Sequence, residues 1–181
     1  AVGVYTRQPI RLSDTAGSFY PEYVACAFDW AAEHNVEVSN SSYYMDPYAF
    51  WLPNEASQAA GLEAASRAVR YSKEHGVVNF ASEGNSDDDH DNPTIDKDSP
   101  NDVEGAAVER NVAGGIDVPA MLGDSVLSVS ALKLPTGADP ATAQLERAGF
   151  SNYGKHPVAV AAPGHRLRSP TPPRDQQPPF R

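Results

Sequence analysis

A chain of 181 residues that is 40% hydrophobic can bury the core of one domain, and two domains of ordinary size are not expected. Its formal net charge of -10 excludes the attraction that nucleic acid or an anionic membrane surface would require, so neither is expected as a partner. The single cysteine, Cys26, rules out an internal disulfide, and no apolar run is long enough to span a bilayer.

The chain opens at Ala1 with no signal-peptide pattern, which reads as a processed chain or an excised piece. Val2 with Val4 and Ile10 with Leu12 suit one or two short strands, and residues 13–17 carry turn chemistry. Residues 18–35 predict a helix. Ser18 would cap it, Pro21 fits its first turn, and Val24, Phe28 and Ala31 share one face. Cys26 falls inside it and is expected to be a buried small hydrophobe. Asn35 is the expected stop. Residues 36–42 read as a short strand with a polar end. Tyr43, Tyr44, Tyr48, Phe50 and Trp51 follow, and three readings stay open for them: the edge of a core, a folded loop, or the wall of a binding site.

Residues 54–75 form the strongest helix pattern. Asn54 would cap it, Leu62, Ala65 and Val69 make its apolar stripe, and Gly76 ends it. Val77, Val78, Phe80 and Ala81 then predict a buried strand that stops at Gly84-Asn85. A polar amide at the carboxyl end of such a strand stands where open α/β sheets bind ligands. Residues 86–115 are acidic and rich in turn formers. Asp87-Asp88-Asp89-His90-Asp91 resembles a cation site but lacks the glycine and closing glutamate of a calcium loop. A solvated loop is therefore the expectation, with no cofactor, and structural calcium is the alternative. Strand character resumes at 118–121, 126–131 and 158–162, where Pro163-Gly164 halts it. Residues 165–181 are rich in Pro, Arg and Gln and cannot bury enough surface to fold alone. The division is one domain over 1–164 and an extended or disordered tail over 165–181. Strands alternating with two helices favour an α/β fold around a mostly parallel sheet.

Asn85 is the best single candidate for chemistry, because a pre-oriented amide can donate to an oxyanion that develops during acyl transfer. A plain turn is the competing reading of Gly84-Asn85. No serine sits in a Gly-x-Ser-x-Gly elbow, and His34, His75, His90, His156 and His165 are scattered. Asp14, in Asp-Thr-Ala-Gly, superficially resembles an acid before a tight turn.

Four segments nevertheless recur in one order: Asp29-Trp30-Ala31 to Asn40-Ser41-Ser42, Val77 to Asn85, Phe150-Ser151-Asn152-Tyr153-Gly154, and Val158 to Gly164. In order and approximate spacing they resemble the subtilisin-like serine protease family, closest in impression to secreted actinobacterial members. The resemblance covers about Ile10 to Gly164. It implies a three-layer α/β fold with a mostly parallel sheet, here incomplete, and a secreted serine endopeptidase acting on protein or peptide substrates. It makes Asn85 the oxyanion donor. It makes Ser42, Tyr43 and Tyr44, with Ser82, Glu83 and Gly84, the two strand-end segments that wall the specificity pocket and pair with substrate backbone. Were Glu83 to face that pocket, the resemblance would imply acceptance of Lys or Arg beside the scissile bond.

The departures are equally informative. The family's catalytic Asp and its His-Gly-Thr motif would precede the first matching segment, and its Gly-Thr-Ser-Met-Ala would follow the last; none is found here. Asp14 aligns with a non-catalytic turn. Tyr44 stands where a glycine is usual, and Glu83 where a small apolar residue is usual. The expectation is a chain that supplies the oxyanion donor and part of the cleft but has no peptidase activity alone. Such a piece would expose sheet edge and apolar surface. The rival is a non-catalytic peptide- or protein-binding module derived from the same family, motivated by Tyr43, Tyr44, Phe50 and Trp51.

Overall fold

The computed structural model describes residues 18–139 and 141–165. The expected strands and turn of residues 1–17, Asp14 among them, lie outside the described residues, as does nearly all of the expected tail. Helix α1 runs over Pro21–Glu33 and α2 over Ala56–Glu74. Strands follow as β1 (Val38–Ser41), β2 (Val78–Ser82), β3 (Ile95–Asp96), β4 (Arg110–Asn111), β5 (Leu127–Lys133), β6 (Glu146–Arg147) and β7 (Val158–Pro163).

Both helices end where backbone conformation dictates. Asn35 has φ 53 and Gly76 has φ 90, and a left-handed residue cannot continue an α-helix. Their starts differ from expectation. Neither Ser18 nor Asn54 is the cap. The caps are Tyr20 and Glu55, both extended and without a side-chain cap bond, and Pro21 opens α1 with its φ already set for a helix. Cys26 is exposed, because it lies two residues from Val24 and so on the far side of α1.

β1, β2 and β5 pair in parallel, with Val38 opposite Val78 and Phe80 opposite Leu127. β7 adds to β5 in parallel, and β6 joins its end antiparallel. The result is the mixed, mostly parallel sheet of an α/β fold. β3 and β4 form a separate ribbon inside the acidic segment, closed by Arg110 Nη2 donating to Asp96 Oδ2 at 2.6 Å. The apolar run at 118–121 is not a strand. Its Val118–Pro119 bond is cis, and the chain turns there.

α1 and α2 pack together on one face of the sheet. Val24 and Phe28 of α1, and Leu62, Ala65 and Val69 of α2, share a core with Met45, Trp51 and Ala81. Trp51 belongs to this core, with its indole N–H on Met45 O at 2.8 Å. The other face carries Val38, Val78 and Leu127, which are all exposed, as the expectation of bare apolar surface required. Among the described residues, no helix of the length of α1 or α2 covers that face.

Candidate functional site

β1 and β2 point their carboxyl ends the same way, and a cleft of about 390 Å³ opens there. Ser42, Tyr43 and Tyr44 leave β1 along one side. Ser82, Gly84 and Asn85 leave β2 along the other. Tyr43 is stacked on Phe19, with ring centroids 4.2 Å apart, and burial raises the pKa of its phenol. The Tyr44 hydroxyl accepts from Asn101 Nδ2 at 2.9 Å, and the same amide donates to Asp46 Oδ1 at 2.6 Å. These bonds make the Tyr43–Asp46 side a fixed wall. Asn85 is different. Its side chain is exposed on the cleft and has no hydrogen-bond partner among the described residues, so its amide is free to donate.

The segment that carries Asn85 is held from beneath by Asn152. The Asn152 Oδ1 accepts from Ser86 N at 2.9 Å and from Asp88 N at 3.0 Å. The backbone adds Asp87 N to Phe150 O and Tyr153 N to Asp88 O, laying the two segments side by side. Gly84 is required by this closeness. Its φ is +103, and a Cβ there would stand 2.6 Å from Asn152 Nδ2.

With Oδ1 occupied by two amides, Asn152 must present Nδ2 to His90, whose Nε2 is 3.0 Å away. Nε2 therefore accepts, and Nδ1 carries its hydrogen toward Glu83 Oε2 at 2.6 Å, close but off the line of a straight hydrogen bond. Glu83 and His90 are both sealed from solvent. Asp117 Oδ2 approaches His90 Nε2 at 3.8 Å from the other side. Burial by itself would push the imidazole pKa down. The close approach of Glu83 and the charges of Asp117, Glu83 and Asp88 outweigh it and hold the pKa above its ordinary value. A second proton on His90 would set two donors face to face, so gaining it requires Asn152 to turn.

The subtilase family model matches residues 6–178. The chain belongs to the subtilase family. Among curated protein sequences nothing matches it. Solved structures match the fold. The epidermin leader peptide processing serine protease EpiP of Staphylococcus aureus is 24% identical, with a TM-score of 0.53, covering 80% of this chain and 31% of its own. The nisin leader peptidase NisP of Lactococcus lactis is 20% identical, with a TM-score of 0.53, over 80% of this chain and 36% of that one. A lanthipeptide protease gives 20% identity and a TM-score of 0.55, over 87% and 37%. This subtilase chain thus spans about a third of the length of these three structures.

Of the residues that sequence singled out, Ser42, Tyr43, Tyr44, Ser82, Gly84 and Asn85 come together around one cleft, and Glu83 does not. Extended backbone alternates its side chains. Ser82 and Gly84 reach the cleft, while Glu83 points inward to His90. The idea that Glu83 faces the pocket and selects Lys or Arg is therefore corrected, and its bulk does not fill the cleft. The acidic segment is also less solvated than expected. His90 and Asp96 are buried, Asp87 pairs with Arg147, and Asp91 accepts from the Lys155 and His156 amides, which lowers its pKa. No group of three or more potential metal ligands gathers among the described residues. Asn152, His90 and Asp117 were missed. Asn152 stood in a motif already noted, but nothing local ties His90 or Asp117 to Glu83.

Proposed function

We propose that this subtilase chain supplies the oxyanion donor and two walls of the substrate cleft of a secreted serine endopeptidase acting on proteins or peptides. The observation that carries this reading is the free amide of Asn85 at the carboxyl end of β2, on the rim of a cleft walled by Ser42–Tyr44. In acyl transfer the scissile carbonyl gains negative charge, and a donor already aimed at it lowers the barrier without reorienting. Substrate backbone would run between the ends of β1 and β2.

The chain alone does not cleave peptide bonds in this reading. Among the described residues no histidine activates a serine. His34 and His75 bond Trp30 O and Tyr71 O, His90 serves Glu83, His156 meets Asp91, and His165 lies against the Phe150 ring. Incubation with casein and with a serine-directed phosphonate probe is expected to give neither turnover nor labelling; either would overturn it. In a longer chain that carries a nucleophile and its base, Asn85→Ala is expected to lower kcat about 10²–10³-fold with little change in KM. That is the loss already measured when a subtilisin loses such a donor. An unchanged kcat would remove Asn85 from the mechanism.

The peptide-binding module remains the second reading, supported by a cleft whose tyrosine wall is fixed by its own contacts. It predicts that Asn85→Ala leaves peptide affinity intact while Tyr43→Ala weakens it.

A further inference from the structure

The cleft has an uneven charge. Asp46, Asp88, Asp98 and Asp117 line it, and no Lys or Arg does. Asp46 is occupied by the Phe19 amide and Asn101. Asp117 is not. Its side chain is 9% exposed, and that remnant opens on the cleft. Its Oδ1 has no hydrogen-bond partner, and its Oδ2 meets only the 3.8 Å approach of His90. The neighbouring charge is no remedy. One imidazole faces the carboxylates of Glu83, Asp88 and Asp117, and Glu83 already holds it at 2.6 Å. A buried carboxylate short of donors carries a desolvation cost that a charged donor entering from the cleft would offset. In line with this, burial pushes the Asp117 carboxyl up to about 7, with Glu83 and Asp88 adding to the rise against His90.

We propose that the cleft accepts a cationic side chain, the guanidinium of arginine or the ammonium of lysine in a peptide, and that the Asp117 carboxylate is its partner. The inference rests on the reading of the cleft as a peptide site, and it moves the selection of a basic residue from Glu83 to Asp117. The contact would be made at Oδ2, because Oδ1 is itself sealed from the cleft, and a guanidinium or an ammonium can each supply the one charged donor that Oδ2 would take.

The test is calorimetric titration of the chain at pH 8 with acetylated tetrapeptides that differ only in the last residue: Arg, Lys, citrulline or Leu. Citrulline keeps the shape of arginine without its charge. Arg and Lys peptides are expected to bind about tenfold tighter than the other two, the value of one charge-assisted hydrogen bond. Asp117→Asn should erase that difference. Equal affinities in the unaltered chain would overturn the inference while leaving a peptide cleft in place. No binding of any peptide would overturn the cleft reading and the inference with it. A preference that survives Asp117→Asn would overturn the assignment. A second measurement needs no variant: the ratio of Arg to Leu affinity should fall as pH drops through about 7, where Asp117 gains its proton. His90, Glu83 and Asp88 face that carboxylate, and Asp46 and Asp98 share its cavity. A ratio constant from pH 8 to 5 would count against Asp117.

Discussion

Asn79 and Glu83 lie four residues apart on the same face of β2 and its continuation, and both are buried. They are treated in opposite ways. Asn79 is saturated: its Nδ2 donates to Ser72 Oγ at 2.9 Å and Ser125 O at 3.2 Å, and its Oδ1 accepts from Ser39 Oγ at 2.7 Å. That set joins β1, α2 and the turn before β5. Glu83 has one partner, His90, and leaves Oε1 without a donor, as Asp117 leaves Oδ1. Most buried polar groups find at least one partner inside the fold, and Asn79 finds three. Groups left short of donors beside a cleft carry strain that a ligand can relieve. The difference between the two sites separates the scaffold from the candidate site more sharply than burial does.

The largest expected effect lies on the saturated side. Asn79→Ala removes three good bonds, leaves Ser125 O and the Ser39 hydroxyl without that partner while Ser72 Oγ keeps its own bond to Val69 O, and opens a gap between strand and helix. It is expected to cost about 2–4 kcal/mol, read as a lower urea midpoint. A loss near zero would mean that these bonds are replaced by water, and the comparison would fail.

Asp117→Asn should act in the other direction. The folded pKa of Asp117, about 7, stands above its ordinary value of 3.8, so between those limits the folded chain holds a proton that the unfolded chain has lost. Stability is then full below the lower value, falls as pH rises between the two, and stays reduced above. His90 adds a change of the same sign, because its raised pKa stabilises the fold only while it is protonated. Removing the buried charge is expected to raise stability at pH 8 by roughly 1–3 kcal/mol, with no gain at pH 4. Thermal melts at the two pH values check it. A variant less stable at pH 8 would show that the carboxylate is already satisfied.

What the sequence disclosed follows from range. Gly76 and Asn35 end their helices through their own backbone, so a local reading finds them. The α/β order and the strand ends of Ser41 and Ser82 follow from apolar runs between turn formers. Helical spacing from Val24 puts Cys26 on the far side of α1, and strand alternation turns Glu83 away from the cleft that Ser82 and Gly84 reach; at both positions the period decides the placement and residue type does not. The run at 118–121 is a turn, and hydrophobic patterning alone does not tell a buried apolar turn from a strand. His90 and Asp117 meet Glu83 only through the folded path of the acidic segment, and no spacing rule spans that distance.

The smallest effect tests the comparison most finely. Ser39→Ala deletes one hydroxyl and leaves Asn79 Oδ1 without its donor, creating on the saturated side the kind of deficit that Asp117 shows natively. Ser39 lies on β1, at the end of the strand order, and is only half-buried, so water can partly replace the lost bond. The expected cost is about 1 kcal/mol. Because neither partner titrates, the cost should be the same at pH 5 and pH 8, whereas the effect of Asp117→Asn should differ between them. A pH-dependent loss from Ser39→Ala would show that the Asn79 set is coupled to the acidic cluster across β2, and the two sites would then have to be treated as one.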